Sequence, residues 1–120
     1  MKARCVLQAQ AGLAEGPHWW AEKGVLLWVD IEASRVGVFD PVTGRNRFLV
    51  VLSHVGAVVP MSDGELLVAT AQGFVRLHPD SGVVSSLHDP EHDQPGNRFN
   101  DGKCDPWGRF WAGSMAYDFA

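Results

Sequence analysis

The sequence predicts an all-β protein, a β-propeller of four-stranded blades. Three observations point there. Short apolar runs end in turn motifs along the chain, and nowhere do apolar residues recur at i, i+3, i+4 and i+7 over three helical turns. The runs Leu27-Trp28-Val29-Asp30, Leu67-Val68-Ala69-Thr70 and Phe110-Trp111-Ala112-Gly113 recur at intervals of 40 and 43 residues. The turns recur too: Asp40-Pro41-Val42-Thr43-Gly44 and His78-Pro79-Asp80-Ser81-Gly82 lie 38 apart, and Asp63-Gly64-Glu65 lies 42 before Asp105-Pro106-Trp107-Gly108-Arg109. A period near ~40 residues with several short strands per unit marks a propeller blade. A β-sandwich also has short strands, but it does not require one turn motif to return at a fixed interval.

The elements follow in order. Val25–Asp30 is a short apolar strand after Glu22-Lys23-Gly24. Arg35–Asp40 alternates weakly and runs into Asp40–Gly44, where proline presets φ and glycine supplies φ > 0. Asn46–Leu52 is the next strand. Val55–Val59 is small and apolar, as a strand near a crowded axis would be. Asp63-Gly64 opens a turn into Glu65–Thr70, and Gly73–Leu77 and Val83–Leu87 flank the His78–Gly82 turn. The chain has 120 residues, enough for about three blades, whereas closed propellers typically use 4–8. The expectation is the N-terminal portion, residues 1–120, of one larger propeller domain, incomplete in this chain.

Composition excludes other classes. At 46% hydrophobic and 20% charged, with thirteen Gly, the chain is neither disordered nor collagenous. A net charge of -4 without a basic run leaves no footprint for nucleic acid. No segment approaches the ~20 apolar residues of a membrane span, and the first ten residues lack the apolar stretch of a signal peptide, so a cytoplasmic protein is expected. Cys5 and Cys104, 99 positions apart, fit free thiols in a reducing compartment, with one long-range disulfide as the alternative. The five histidines show no HxH or HExxH spacing, no serine sits in GxSxG, and neither GxGxxG nor a P-loop occurs.

Two places could carry chemistry. Asn97–Lys103 sets a cation, a short amide and a carboxylate within four positions. Alternation in an extended chain sends Arg98 and Asn100 to one face and Phe99 and Asp101 to the other, with Asp101-Gly102 as a turn. Arg98 offers fixed donors and Asn100 both donor and acceptor, which suits a polyhydroxylated or anionic ligand; a surface ion pair and a turn amide are their plainer roles. Glu15 precedes Gly16-Pro17, which would present its carboxylate on a stiff turn. Hard cations prefer such oxygens, although a solvated loop glutamate is the commoner fate.

The motifs Glu15-Gly16-Pro17-His18-Trp19, Leu27–Ile31, Asn97–Lys103 and Asp105–Met115 closely resemble the senescence-marker-protein/regucalcin/gluconolactonase family, from about Gly12 to Met115. The resemblance implies a six-bladed propeller hydrolysing sugar lactones with one divalent metal in its central channel: Ca²⁺ first, with Zn²⁺, Mg²⁺ and Mn²⁺ compatible. It implies Glu15 as a metal ligand and Arg98 and Asn100 as substrate contacts. Asp118 falls where the family carries a sugar-contacting glutamate, one methylene longer. Two further ligands, an Asn and an Asp that also serves as base, come in the family from later blades, so the chain alone is expected to be inactive. Its partner would be a small lactone or sugar acid. A non-catalytic propeller that binds a metal or a partner is the alternative, because the fold alone does not imply chemistry.

Overall fold

A computed structural model, describing residues 1–118, arranges the chain in three antiparallel sheets. The first contains β1 (Ala14–Trp20), β2 (Val25–Asp30), β3 (Arg35–Asp40) and β4 (Arg45–Val50) in sequential order. The second contains β5 (Val55–Pro60), β6 (Leu66–Thr70), β7 (Gly73–Leu77) and β8 (Val84–His88), again in order. The third pairs β9 (Asn97–Cys104) with β10 (Phe110–Ala116). Each sheet is an up-and-down meander, the unit of a propeller blade. The length suggested about three blades; the described residues make two four-stranded blades and a two-stranded sheet.

The repeat read from the sequence is structural. The three recurring apolar runs fall on β2, β6 and β10, the second strand of each sheet. The recurring turns are built alike. Gly44 N–H donates to the Asp40 carbonyl and Gly82 N–H to that of His78, both at about the same reach, and both glycines have left-handed φ, 74° and 75°. The Asp63 and Asp105 carboxylates each accept a backbone N–H two residues on, from Glu65 and Trp107, which closes the turn between first and second strands.

Two sequence expectations are corrected. Gly16-Pro17 is not a turn: both residues lie inside β1, a strand that the sequence reading lacked. Asp101-Gly102 is likewise strand, because β9 continues to Cys104 and the turn comes at Asp105–Arg109. In both places the strand bulges, which accommodates Gly and Pro without ending the pairing.

Sheets one and two pack through an aliphatic core. Leu27, Val29, Ile31, Val36 and Val38 meet Val55, Val58, Leu66, Val68 and Val75. Sheets two and three meet through a smaller, aromatic cluster in which Phe99 packs with Ala57, Ala69, Phe74 and Phe110. The rings of Phe74 and Phe99 lie 4.7 Å apart. These are the blade faces that a single sheet cannot bury by itself.

One charge is buried in this core. Asp30 is 0% exposed at the end of β2. Its Oδ1 accepts the Leu13 N–H at 2.9 Å, and its Oδ2 accepts from Arg35 Nε at 3.1 Å, tying the segment before β1 to the β2–β3 turn. Thr70 holds the matching position in sheet two, donating its hydroxyl to the Gly73 carbonyl at 2.8 Å. Burial pushes the Asp30 carboxyl up, but the hydrogen bonds from Leu13, Arg35 and Gly12 outweigh it, and the pKa falls below the usual carboxylate value. A depressed folded-state pKa gives stability that is complete above the unfolded value, about 4, and is lost as pH falls through the folded value. Asp30→Ala leaves Arg35 and the Leu13 N–H unanswered and is expected to cost about 2–4 kcal/mol at pH 7. In urea melts, the gap between wild type and variant should shrink as pH drops below about 4.

Candidate functional site

The first strands of the three sheets converge. β5 packs against both β1 and β9, and β1 also reaches β9. Each bulges at the point of convergence. On β1, Glu15 faces Val29 and His18 faces Leu27, so Gly16 and Pro17 together oppose Trp28. On β5, Val55 faces Thr70 and Ala57 faces Ala69, leaving Gly56 as the extra residue. On β9, Phe99 faces Ser114 and Gly102 faces Ala112, so Asn100 and Asp101 oppose Gly113. An extra residue breaks the two-residue alternation and re-aims the side chains beside it.

Close backbone approach brings the bulges together. A Cβ on Gly56 would run into the carbonyls of Phe99 and Asn100. One on Gly16, whose φ is 55°, would stand 3.6 Å from the Gly56 oxygen and 3.9 Å from Asp101 Oδ1. Val55–Val59 thus is the strand at a crowded centre that its small residues suggested.

The candidate residues fall as follows. Glu15 is exposed on β1, directly before the bulge. Arg98 and Asn100 do share a face, because Arg98 Nη1 donates to Asn100 Oδ1 at 3.3 Å and to the Phe99 carbonyl at 3.1 Å. Phe99 points the other way, into the aromatic cluster. Asp101 does not follow Phe99: the bulge leaves it exposed, its Oδ1 accepting the Gly102 N–H at 2.8 Å beside the Gly16 backbone. It stands beside the converging strands, in a strand where the sequence reading expected a turn. The available signal was a glycine in every first strand, at Gly16, Gly56 and Gly102. Asp118 is exposed in the turn after β10. Its neighbour Tyr117 has its ring 5.9 Å from the Arg98 guanidinium and its hydroxyl 2.7 Å from His54 Nδ1.

Electrostatics vary along the converging strands. Farther along β1, His18 is half-buried; burial first and the Lys103 charge second lower its pKa, so it is neutral at pH 7. Burial raises the Tyr117 hydroxyl, and nearby Arg98 only partly opposes it. A cleft of about 940 Å³ between sheets one and two lies at the other end of the strands, by Lys23, Thr43, Asp63 and Pro79, and contains none of the candidate residues.

The donor set fits a hard cation in kind and falls short in number. Glu15 supplies a carboxylate oxygen and Asp101 stands on the adjoining bulge, but among the described residues no three His, Cys, Asp or Glu side chains gather as a metal cage. Hard divalent cations take six or more oxygens, waters included.

Comparisons with known proteins agree with the all-β fold. Regucalcin of Xenopus laevis is 36% identical over 118 residues, covering 98% of this chain and 40% of that protein. The 6-deoxy-6-sulfogluconolactonase of Pseudomonas putida is 34% identical over 112 residues, covering 93% of this chain and 38% of that enzyme. The crystal structure of a calcium-binding protein, regucalcin, from Agrobacterium tumefaciens superposes with a TM-score of 0.85 at 29% identity, over 90% of this chain and 37% of that one. The chain thus spans about two-fifths of the length of the curated relatives it matches. The profile of the SMP-30/Gluconolactonase/LRE-like region matches residues 13–120, and the chain belongs to that family.

Proposed function

We propose that the whole protein is a metal-dependent lactonase that opens sugar lactones, and that this chain supplies the N-terminal part of its single propeller domain. The carrying observation is the convergence of three bulged first strands, which sets Glu15, Arg98 and Asn100 on adjoining backbone. Relatives named for lactone chemistry support the choice of reaction. In this reading Glu15 is one ligand of a divalent ion, Ca²⁺ before Zn²⁺, Mg²⁺ or Mn²⁺, and the remaining ligands and the base come from other blades. When bound, the ion polarises the lactone carbonyl and lowers the pKa of water. Arg98 and Asn100 orient the ring through donors to its oxygens, and Asp118 accepts from a sugar hydroxyl. The site would work in the cytoplasm on a small lactone or sugar acid.

A pH-stat assay of the whole protein on δ-gluconolactone tests this. Hydrolysis should disappear on chelation and return with a divalent ion. A protein that binds the ion yet leaves sugar lactones intact would favour the second reading, a non-catalytic metal-binding propeller, which the Agrobacterium relative's description as calcium-binding keeps in view.

A further inference from the structure

Arg98 is held by something outside its own sheet. Its guanidinium donates to Asn100 Oδ1 and the Phe99 carbonyl, both on β9. Its other neighbour is the ring of Tyr117, with the guanidinium carbon 5.9 Å from the ring centroid, within cation–π reach. That ring is fixed at several points. Tyr117 N–H donates to the Gly96 carbonyl at 2.8 Å, just before β9. Its hydroxyl is hydrogen-bonded to His54 Nδ1 at 2.7 Å, and the two rings pack at 5.6 Å, tilted by 60°. His54 belongs to sheet two: it immediately precedes β5, and its carbonyl accepts the Ala71 N–H at 2.9 Å, in the β6–β7 turn. A continuous path therefore runs from the β6–β7 turn through His54 and Tyr117 to Arg98 and Asn100.

We propose that Tyr117 is a positioning residue of the sugar-lactone site: bonded to His54, it fixes the Arg98 guanidinium relative to the neighbouring blade and so governs substrate affinity more than turnover. The inference rests on the lactonase reading. The contact joins groups 63 positions apart and crosses the boundary between two sheets. Interblade geometry sets where Arg98 stands relative to Glu15, because β5 lies against both β1 and β9. A guanidinium free to swing would meet the substrate in fewer productive poses, and that loss falls on binding.

The test uses the whole protein with Tyr117→Phe, His54→Phe and the double variant, assayed on δ-gluconolactone. Tyr117→Phe keeps the ring and deletes the hydroxyl; His54→Phe deletes its hydrogen-bond partner from the other side. Each single variant should raise KM about 3–10-fold, the range of one lost hydrogen bond, with kcat within about twofold. The double variant should match the worse single one, since both remove the same bond. Calorimetric binding of gluconate should weaken in parallel, which keeps the inference testable if either single variant folds poorly. Unmoved KM and gluconate affinity in the single variants, a loss confined to kcat, or additive effects in the double variant would each overturn it. A wild type that hydrolyses no sugar lactone would overturn the functional reading and this inference together, whereas an active wild type with unmoved variants overturns this inference alone.

Discussion

Glu15→Gln in the whole protein should reduce sugar-lactone hydrolysis at least about 100-fold, because even outer-shell partners of a metal ligand are worth 10–100-fold. The substitution keeps the side chain's size and replaces a charged oxygen with a neutral amide, which hard cations bind poorly. Glu15 is exposed, so the stability of the metal-free protein should shift by no more than about 0.5 kcal/mol. The two readouts separate a ligand from a structural residue. A ligand loses metal affinity and activity at unchanged apo stability. A solvated strand glutamate, the plainer role, loses nothing. Metal titration of wild type and variant by calorimetry distinguishes the cases, and full activity in the Gln variant would remove Glu15 from the site.

The second large effect is expected at Gly56. The atoms that an added methyl meets there are the backbone carbonyls of Phe99 and Asn100, which cannot rotate aside as a side chain would. Gly56→Ala must push β5 and β9 apart, at a cost of about 2–4 kcal/mol, at or just above the usual range for overpacking. The same displacement moves Asn100 and, through its hydrogen bond, Arg98, so KM for the lactone should rise as stability falls. Gly96 is the control. It has open space around it and no left-handed φ, and Gly96→Ala should stay within about 0.5 kcal/mol of wild type. Chemical denaturation of both variants, followed by kinetics, checks the contrast. Equal stability of Gly56→Ala and wild type would mean that the first strands do not approach as described.

Sequence periodicity made most of the fold legible, and the reason is physical. β2, β3 and β5 through β7 are rich in Val, Leu and aromatic residues because both faces of an inner strand are covered, and such runs stand out between the Asp40–Gly44 and His78–Gly82 turns. β1 was hidden because Gly16 and Pro17 interrupt its pattern, and such residues ordinarily demote a strand. They are tolerated here because they sit in the bulge, where the ladder asks for fewer donors. The same logic hid Asp101. Strict alternation placed it with buried Phe99, and only the extra residue on β9 turns it outward toward Gly16. Glu15, Arg98 and Asn100 could be named as candidates from motifs, because their proposed roles depend on local residue types. Tyr117 could not, since its value lies in a contact with His54, far away in the chain. Buried Asp30 was invisible for a similar reason: a carboxylate ending a strand looks solvated until Leu13 and Arg35 are seen to enclose it.

We propose that three bulged first strands assemble one metal and lactone site around Glu15, Arg98 and Asn100. Anomalous diffraction from crystals of the whole protein, grown with a divalent ion and gluconate, tests it most directly. An anomalous peak bonded to a Glu15 carboxylate oxygen is expected, with gluconate oxygens within hydrogen-bond distance of the Arg98 guanidinium and the Asn100 amide. An ion bound elsewhere, with Glu15 in solvent and gluconate away from β9, would contradict it.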